Sequence, residues 1–284
     1  MEVGIGLPST IPGTGRDQLL EWARRAEARG FSTLGTIDRI VYPSHEPLIA
    51  LAAAAAVTER IRLATTILLA PTRANGALLA KQAATLDVLS GGRLVLGVAV
   101  GRRDDDFRAC DVDFHARGRI LDEMLDLWAR IWDGEGFGTA GGIGPPPADG
   151  RPALLLGGWA SAAFTRAARH GEGWTGGNCT LEELAHGTAR LRAAWDAAAR
   201  EGSPRTMVQP YYALGNRAEQ AVERCLRDYY GSGDYTDAIV ARAATDAETV
   251  RENVRAFAQA GCDELIFFPC DPDPDQVDLL ADAL

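Results

Sequence analysis

The stretch LSGGRLVLGVAVGRRDDDF, residues 89–107, places a cluster of charge directly after an apolar segment. The apolar segment is typical of a buried strand, and only Val100 and Gly101 separate its last alanine from Arg102 and Arg103. A guanidinium binds phosphate oxygens in pairs and keeps its charge near neutral pH, so these arginines are candidate anion ligands. The following Asp104–Asp106 are expected to form a solvated loop that orients them. This cluster therefore marks the mouth of a site.

The stretch GGWAS offers a second place where an anion could bind. Gly157 and Gly158 allow the backbone to approach a ligand closely, and the helix predicted to follow presents free N–H groups at the positive end of its dipole. Ser161 adds a hydroxyl group. The alternative interpretation, from these residues alone, is an ordinary turn between a strand and a helix.

The composition argues against several kinds of function. A formal net charge of −10 disfavours nonspecific binding to nucleic acid or to anionic membranes. No apolar run approaches the roughly 20 residues of a membrane helix, and MEVGIGLP predicts a first strand, not a secretory signal. The five cysteines show no CxxC or metal-ligand spacing, which predicts no metal site and favours a reducing, cytoplasmic location. No GxGxxG motif follows a strand, so no built-in NAD(P)H site is indicated.

Short apolar runs alternate with amphipathic helices along the chain, which predicts a single (β/α)8 TIM-like barrel. The predicted strands are Val3–Leu7, STLGTI, IRLATTILLA, RLVLGVAV, ALLLGG, a short strand in GEGWTGG, MVQPYYALG and DELIFFP. The predicted helices include Ala74–Leu89 and His115–Asp133. Residues 1–284 are interpreted as one domain, with a Gly/Pro-rich surface connection at about 134–152. In such a barrel the site lies at the carboxyl ends of the strands.

Four stretches, in order along the chain, resemble the bacterial luciferase-like monooxygenase family of flavin- or deazaflavin-dependent oxidoreductases. The most specific stretch is PLIALAAAAAVTERIRLATTILLAPTRANGALLAKQAATLDVLSGGRLVLGVAVG. It is followed by RGRILDEMLDLW, LLLGGWASAAFTRAARHGEGW and AGCDELIFFP. The resemblance covers almost the whole chain and implies a TIM-like barrel that binds an isoalloxazine ring at its C-terminal mouth.

The resemblance assigns two groups of residues to the cofactor. The ring contacts are Thr65, Thr66, Ile67, Val98, Ala99 and Val100. The phosphate contacts are Arg102 or Arg103, Arg119, Gly157, Gly158, Trp159 and Ser161. The family often has a non-prolyl cis peptide at the end of strand 3, and the matching bond here is at about Thr66–Ile67. A normal buried strand is the alternative that the residues alone allow.

The chain departs from the family pattern at the end of strand 2. Many relatives have an acidic residue followed by a histidine that acts as acid or base, whereas here Asp38 is followed by Arg39. Arginine cannot exchange protons near pH 7. Arg39 is expected either to hold an acidic substrate or cofactor tail, or to pair with Asp38 or Asp104. The replacement proton donors or bases in this loop are Tyr42 and His45, of which only His45 has an ordinary pKa in the working range.

The expected function is a flavin-dependent monooxygenase that uses reduced FMN from a separate flavin reductase to oxidise a small organic substrate. The first alternative is hydride transfer with the deazaflavin coenzyme F420. The second is a flavin-binding protein without catalysis. A homodimer is expected through the helix LIALAAAAAV, which is apolar over more than one face.

Overall fold

The computed structural model describes residues 1–73 and 75–284. The strands of these residues form one closed parallel sheet. Its strands are β1 (Glu2–Gly6), β2 (Thr33–Thr36), β3 (Arg62–Leu69), β4 (Leu94–Ala99), β5 (Ala153–Gly157), β6 (Gly173–Thr175), β7 (Arg205–Val208), β8 (Tyr211–Tyr212) and β9 (Glu264–Pro269). Strands β1 to β7 pair in chain order, and β1 closes the ring by pairing with β9. The predicted barrel is confirmed.

Helices cover the outside of the sheet. They are α1 (Arg16–Ala28), α2 (Pro47–Ala55), α3 (Gly76–Ser90), α4 (Asp104–Ala109), α5 (Arg117–Trp132), α6 (Ser161–His170), α7 (Leu181–Ala197), α8 (Ala218–Tyr230), α9 (Asp234–Arg242), α10 (Ala247–Gln259) and α11 (Asp275–Ala283). In the part of the chain that the structure describes, no helix combines the length and apolar character needed to cross a membrane.

The predicted third helix starts later than expected. It begins at Gly76, because the side chain of Asn75 accepts a hydrogen bond from the backbone N–H of Leu78 and so caps the first turn. Ala74, the predicted start, lies outside the described residues. Helix α9 was not predicted, since its nine residues contain too few apolar positions to show a clear helical period.

The predicted seventh strand is divided into two pieces. Gln209 and Pro210 interrupt it, and proline has no N–H group to continue a ladder. Both pieces still pair with β9, and the carbonyl oxygen of Pro210 accepts a hydrogen bond of 2.7 Å from the backbone of Phe268. Strands β7 and β8 therefore together take the place of a single strand of the barrel.

The expectation that Asp104–Asp106 form a solvated loop was wrong. These residues begin α4, and the side chain of Asp106 is completely buried. A run of three aspartates suggests solvent exposure, but negative charge is also favourable in the first turn of a helix.

Apolar side chains from β3, β4, β5, β7 and β9 pack together in one cluster. The group consists of Ala64, Val95, Leu155, Met207, Ile266 and Phe268. The ring of Phe268 fits only because Gly6 faces it, since a Cβ atom on Gly6 would lie 2.4 Å from that ring. The interior is thus a packed core that leaves the site to the carboxyl ends of the strands.

A buried carboxylate holds the opposite, amino-terminal end of the barrel together. Glu264, at the start of β9, is fully buried and accepts hydrogen bonds from the hydroxyls of Ser32 and Thr33 at 2.5 and 2.6 Å. Its charge is balanced by Arg62, with a nitrogen 3.2 Å away, and by Arg205. The four partners come from the starts of β2, β3 and β7, so this carboxylate joins strands around the ring.

Replacing Glu264 by Gln should leave two arginines without their buried partner. We expect the free energy of unfolding to fall by about 3–5 kcal/mol, the usual cost of breaking a buried ion pair. Urea unfolding monitored by circular dichroism measures this. The matched control is Glu252→Gln on the exposed face of α10, which should change stability by less than about 0.5 kcal/mol. Equal effects of the two changes would contradict a structural role for Glu264.

Candidate active site

The carboxyl end of β3 has an unusual backbone. The peptide bond between Thr66 and Ile67 is cis, at the position that the sequence indicated. The hydroxyl of Thr65 donates to the carbonyl oxygen of Gly97 at 2.7 Å, and that of Thr66 donates to the carbonyl oxygen of Thr36 at 3.2 Å. The pairing of β3 with β4 shifts register between Thr65 and Leu68. Ile67 is thereby left outside the regular ladder.

Small residues surround Ile67 at the mouth. A Cβ atom on Gly157 would lie 2.9 Å from Cγ2 of Ile67 and 3.2 Å from Cβ of Ala99. Beyond Ala99 the chain passes through the half-buried Val100 to the turn at Gly101, which adopts a positive φ of 77°. The ends of β3, β4 and β5 therefore form a wall of backbone and small side chains, to which a flat ligand could come close.

The turn after β5 leads directly into the amino terminus of α6. Gly158 adopts a φ of 117°, which glycine tolerates far better than other residues. Its carbonyl oxygen accepts from the indole of Trp174 at 2.8 Å. Trp159 packs edge-on against that indole and keeps 39% of its surface exposed. Ser161 is the first residue of α6, so its hydroxyl stands among the free N–H groups of the helix.

An arginine that the sequence did not indicate reaches this turn from α7. Arg190 donates to the carbonyl oxygen of Trp159 at 2.6 Å and to the hydroxyl oxygen of Ser161 at 3.0 Å, and it covers the ring of Phe164. Because the Ser161 oxygen accepts from Arg190, its own proton stays available for another acceptor. Nothing near Arg190 in the sequence predicts this contact, which depends on how α7 packs beside α6.

The arginines of the charged cluster contact α8 and α9. Arg102 lies over the ring of Tyr235, 4.5 Å from its centre. Arg103 lies over the ring of Tyr229 and donates to that residue's carbonyl oxygen at 3.1 Å. Arg119 is 67% exposed and pairs with Glu123 on its own helix. The structure thus places Arg102 and Arg103 against one group of tyrosines, whereas Arg119 forms an ion pair within its own helix.

Asp38 lies at the carboxyl end of β2 beside the end of β3. Its Oδ2 accepts from the backbone of Leu69 at 2.8 Å and from Arg73, which also pairs with Glu46. Its Oδ1 is buried and has no hydrogen-bond partner among the described residues. Burial raises the pKa of the Asp38 carboxyl above its ordinary value, and the Arg73 guanidinium opposes that rise.

The expected pairing of Arg39 with Asp38 or Asp104 was wrong. The Arg39 guanidinium instead pairs with Asp105 at 2.8 Å and Asp106 at 3.2 Å. Asp106 in turn accepts from the backbone N–H groups of residues 40 and 41 at 2.9 and 2.7 Å. The loop after β2 is consequently attached to α4, an arrangement that sequence spacing could not indicate.

Tyr42 and His45 are both held by neighbouring segments. The Tyr42 hydroxyl donates to Asp228 of α8, and burial, followed by the effect of that carboxylate, raises the pKa of Tyr42 above its ordinary value. Nε2 of His45 lies 2.9 Å from the carbonyl oxygen of Thr14. The His45 side chain therefore fixes the loop after β1 to the loop after β2, and its other ring nitrogen is left for a proton.

Replacing Arg73 by Gln removes the cation that opposes the pKa rise of Asp38, so the pKa should rise further. The folded state then holds a proton at pH values where the unfolded chain has released it, and the free energy of unfolding falls as the pH increases. We expect the loss relative to wild type to be larger at pH 8 than at pH 5, by about 1.4 kcal/mol for each unit of added pKa rise. Urea unfolding at both pH values measures this.

The control for that change is Arg119→Gln, which removes an arginine from an exposed ion pair within one helix. Its effect should stay below about 1 kcal/mol at both pH values. If Arg73→Gln costs the same stability at pH 5 and pH 8, Arg73 does not act through the ionisation of Asp38.

Comparisons with known proteins find related sequences and structures of the same fold. An uncharacterized protein of Mycobacterium tuberculosis (strain ATCC 25618 / H37Rv) is 32% identical over 200 residues, which are 60% of this chain and 68% of the relative. An F420-dependent glucose-6-phosphate dehydrogenase of Kribbella flavida is 31% identical over 154 residues, 51% of this chain and 46% of the relative. The structure of monooxygenase RslO1 from Streptomyces bottropensis has a TM-score of 0.84 at 23% identity and covers 100% of this chain and 98% of its own.

The profile of the luciferase-like monooxygenases matches residues 1–263, which is nearly the whole chain. Together with the barrel, the match identifies the chain as a member of the luciferase-like monooxygenase family.

Proposed function

We propose that the protein is a monooxygenase that uses reduced FMN, supplied by a separate flavin reductase, to oxidise a small organic substrate. The observation that carries the proposal is the wall at Gly157, where a Cβ atom would collide with Ile67, directly beside the amino terminus of α6. A flat ring and a phosphate group attached to it need those two features next to each other. The residues present therefore fit the cofactor.

The cofactor would be held by two groups of residues. The ring would lie against Thr65, Thr66, Ile67, Ala99 and Val100, and the phosphate would lie at Gly158, Trp159 and Ser161. Arg190 orients the Ser161 hydroxyl and adds positive charge. Arg102 and Arg119 remain candidate phosphate ligands that would have to leave their present contacts.

Reduced FMN supplies the electrons with which molecular oxygen reacts with an organic substrate. The protein binds and orients the cofactor, excludes water and transfers protons. Proton transfer is assigned to the loop after β2, with His45 as the first candidate. Asp38 is the second, since its free Oδ1 is buried beside β3. Arg39 and Tyr42 are engaged by α4 and α8 and shape this loop.

The second candidate function is hydride transfer with F420. It is favoured by the relative from Kribbella flavida, which is described as F420-dependent. The third candidate function is flavin binding without catalysis. A protein with this function would bind the cofactor equally well but would show no turnover with the reduced cofactor. Binding of reduced FMN and reduced F420 to the purified protein separates the first two functions.

In that titration we expect tighter binding of FMN than of F420. Ser161→Ala and Arg190→Gln should each weaken FMN binding by about 10- to 100-fold, because each removes a hydrogen bond to a charged group. Binding of riboflavin, which lacks the phosphate, should not change. Arg119→Ala tests Arg119 as a phosphate ligand in the same way. Unchanged FMN binding would show that Arg119 is a surface residue.

Two results would contradict the proposal. If the wild-type protein binds neither cofactor, the site at Gly157 has another purpose. If it binds F420 more tightly than FMN, the second function replaces the first.

Replacing His45 by Ala should lower turnover by roughly 100-fold, the low end for a lost general acid or base. Cofactor affinity should be unchanged, because His45 lies in the loop after β2 and the phosphate site follows β5. Steady-state kinetics across pH measures both effects, with His186→Ala on the exposed face of α7 as the control. An unaffected rate and pH profile would mean that the proton comes from water or from the substrate.

We also propose a homodimer formed through α2. The residues Ile49, Ala52, Ala53 and Ala56 lie on its exposed side at helical spacing, and Ile49 keeps 72% of its surface accessible. A second copy of this helix would cover such an apolar face. Ile49→Glu should convert the dimer to a monomer in light scattering at micromolar concentration, whereas Leu279→Glu on α11 should not. A monomeric wild-type protein would contradict the proposal.

A further inference from the structure

Two buried hydrogen-bond donors belong to residues in contact with each other, one in the loop after β6 and one at the end of α9. Nδ2 of Asn178 and Nε of Arg242 are both inaccessible to solvent and have no acceptor among the described residues. They belong to one local group, because Nη2 of Arg242 donates to the carbonyl oxygen of Asn178 at 3.2 Å. Buried polar groups in proteins almost always have a partner, so a pair without one points to a ligand that accepts hydrogen bonds.

The charge of Arg242 is also uncompensated. No carboxylate of a described residue lies within 4.0 Å of its guanidinium, whereas Arg39 and Arg73 at the same end of the barrel are each paired with two. Glu183, which follows Asn178 in the chain at the start of α7, accepts a hydrogen bond from the backbone of Thr180. The missing acceptor is therefore expected to be an anion.

The two donors lie at the mouth. The backbone of Gln209 donates to the carbonyl oxygen of Gly177 at 2.9 Å, which continues the β6–β7 ladder to the residue before Asn178. Thr175, three residues before Asn178, pairs with Gly157 in the sheet. Asn178 thus follows the same end of the sheet that carries the Gly157 wall.

The backbone holds Arg242 in place. Two residues after it, Ala244 donates to the carbonyl oxygen of Tyr211 at 2.9 Å and accepts from Ala213 at 3.0 Å. This short ladder attaches the end of α9 to β8. The Arg242 side chain extends from this fixed segment of backbone to the carbonyl oxygen of Asn178.

We propose that Asn178 and Arg242 bind an anionic oxygen group, a carboxylate or a phosphate, of the substrate. The inference rests on the proposed function, because it takes the mouth as the place where the substrate meets the cofactor. It narrows the substrate class to small organic anions. The phosphate of the cofactor has the same chemistry, and the experiment distinguishes the two sources.

The experiment uses the full chain and two changes at the pair. Asn178→Asp keeps the shape of the side chain but replaces the free N–H group by a negative charge beside Arg242. Arg242→Gln removes the positive charge. The control is Arg192→Gln, which removes an exposed arginine of α7. The probes are inorganic phosphate and benzoate, titrated calorimetrically with and without saturating FMN, together with FMN and riboflavin themselves.

We expect the wild-type protein to bind at least one of the two anions in the presence of FMN. Asn178→Asp and Arg242→Gln should weaken that binding by about 10- to 100-fold, as expected for a lost hydrogen bond to a charged group, and Arg192→Gln should not. The melting temperature of Asn178→Asp should stay the same or rise, because the new carboxylate can pair with Arg242. A merely structural role for Asn178 would instead lower it without a selective effect on anions.

Each other outcome has a defined meaning. Weakened FMN binding with unchanged riboflavin binding, and no effect on the free anions, would assign the pair to the cofactor phosphate and overturn the substrate proposal. Anion binding that is absent from the wild type, or unchanged in the variants, would also overturn it. If Arg242→Gln does not fold, Arg242→Lys and Asn178→Asp carry the test. Anion binding at the pair without any binding of FMN or F420 would contradict the proposed function alone.

Discussion

The burial of one carboxylate determines the shape of the mouth. Asp106 is removed from water, and an uncompensated charge there would be strongly destabilising, so two backbone N–H groups and Arg39 must surround it. Arg39 also lies near the faces of Tyr42 and Tyr229, whose rings pack edge-on against each other. The loop after β2, the start of α4 and the end of α8 are consequently fixed relative to one another. Any ligand that enters the mouth therefore contacts segments whose relative positions depend on the Asp106 carboxylate.

The arginines at the mouth fall into two groups with different consequences. Arg39 and Arg73 are each neutralised by two carboxylates and hold protein segments together. Arg190 and Arg242 have no carboxylate partner among the described residues, and both contact backbone carbonyl oxygens at the ends of β5 and β6. Arg102 and Arg103 likewise have no carboxylate partner among the described residues and lie over tyrosine rings instead. The mouth therefore carries uncompensated positive charge, although the protein as a whole is acidic.

Periodicity and motif order were enough to predict the barrel, since eight alternating units leave few other arrangements. The resemblance to the family indicated the cis peptide at Thr66–Ile67, which the structure contains. The pairs Asp38–Arg73 and Ser161–Arg190 could not be predicted, because each joins residues that are separated by about 30 positions and meet only after packing. The burial of Asp106 was missed for a related reason. Three adjacent aspartates look solvated until the partner, Arg39, is known.

The carboxylate of Glu264 has a consequence for how the chain reaches this state. All of its partners precede residue 206, while Glu264 itself belongs to the last strand. During synthesis the ring cannot close until β9 has left the ribosome, and until then β1 and β7 expose unpaired edges that attract other strands. A chain that ends before β9 would form an open sheet, and the unpaired edges of β1 and β7 would make it prone to aggregation and to binding by chaperones.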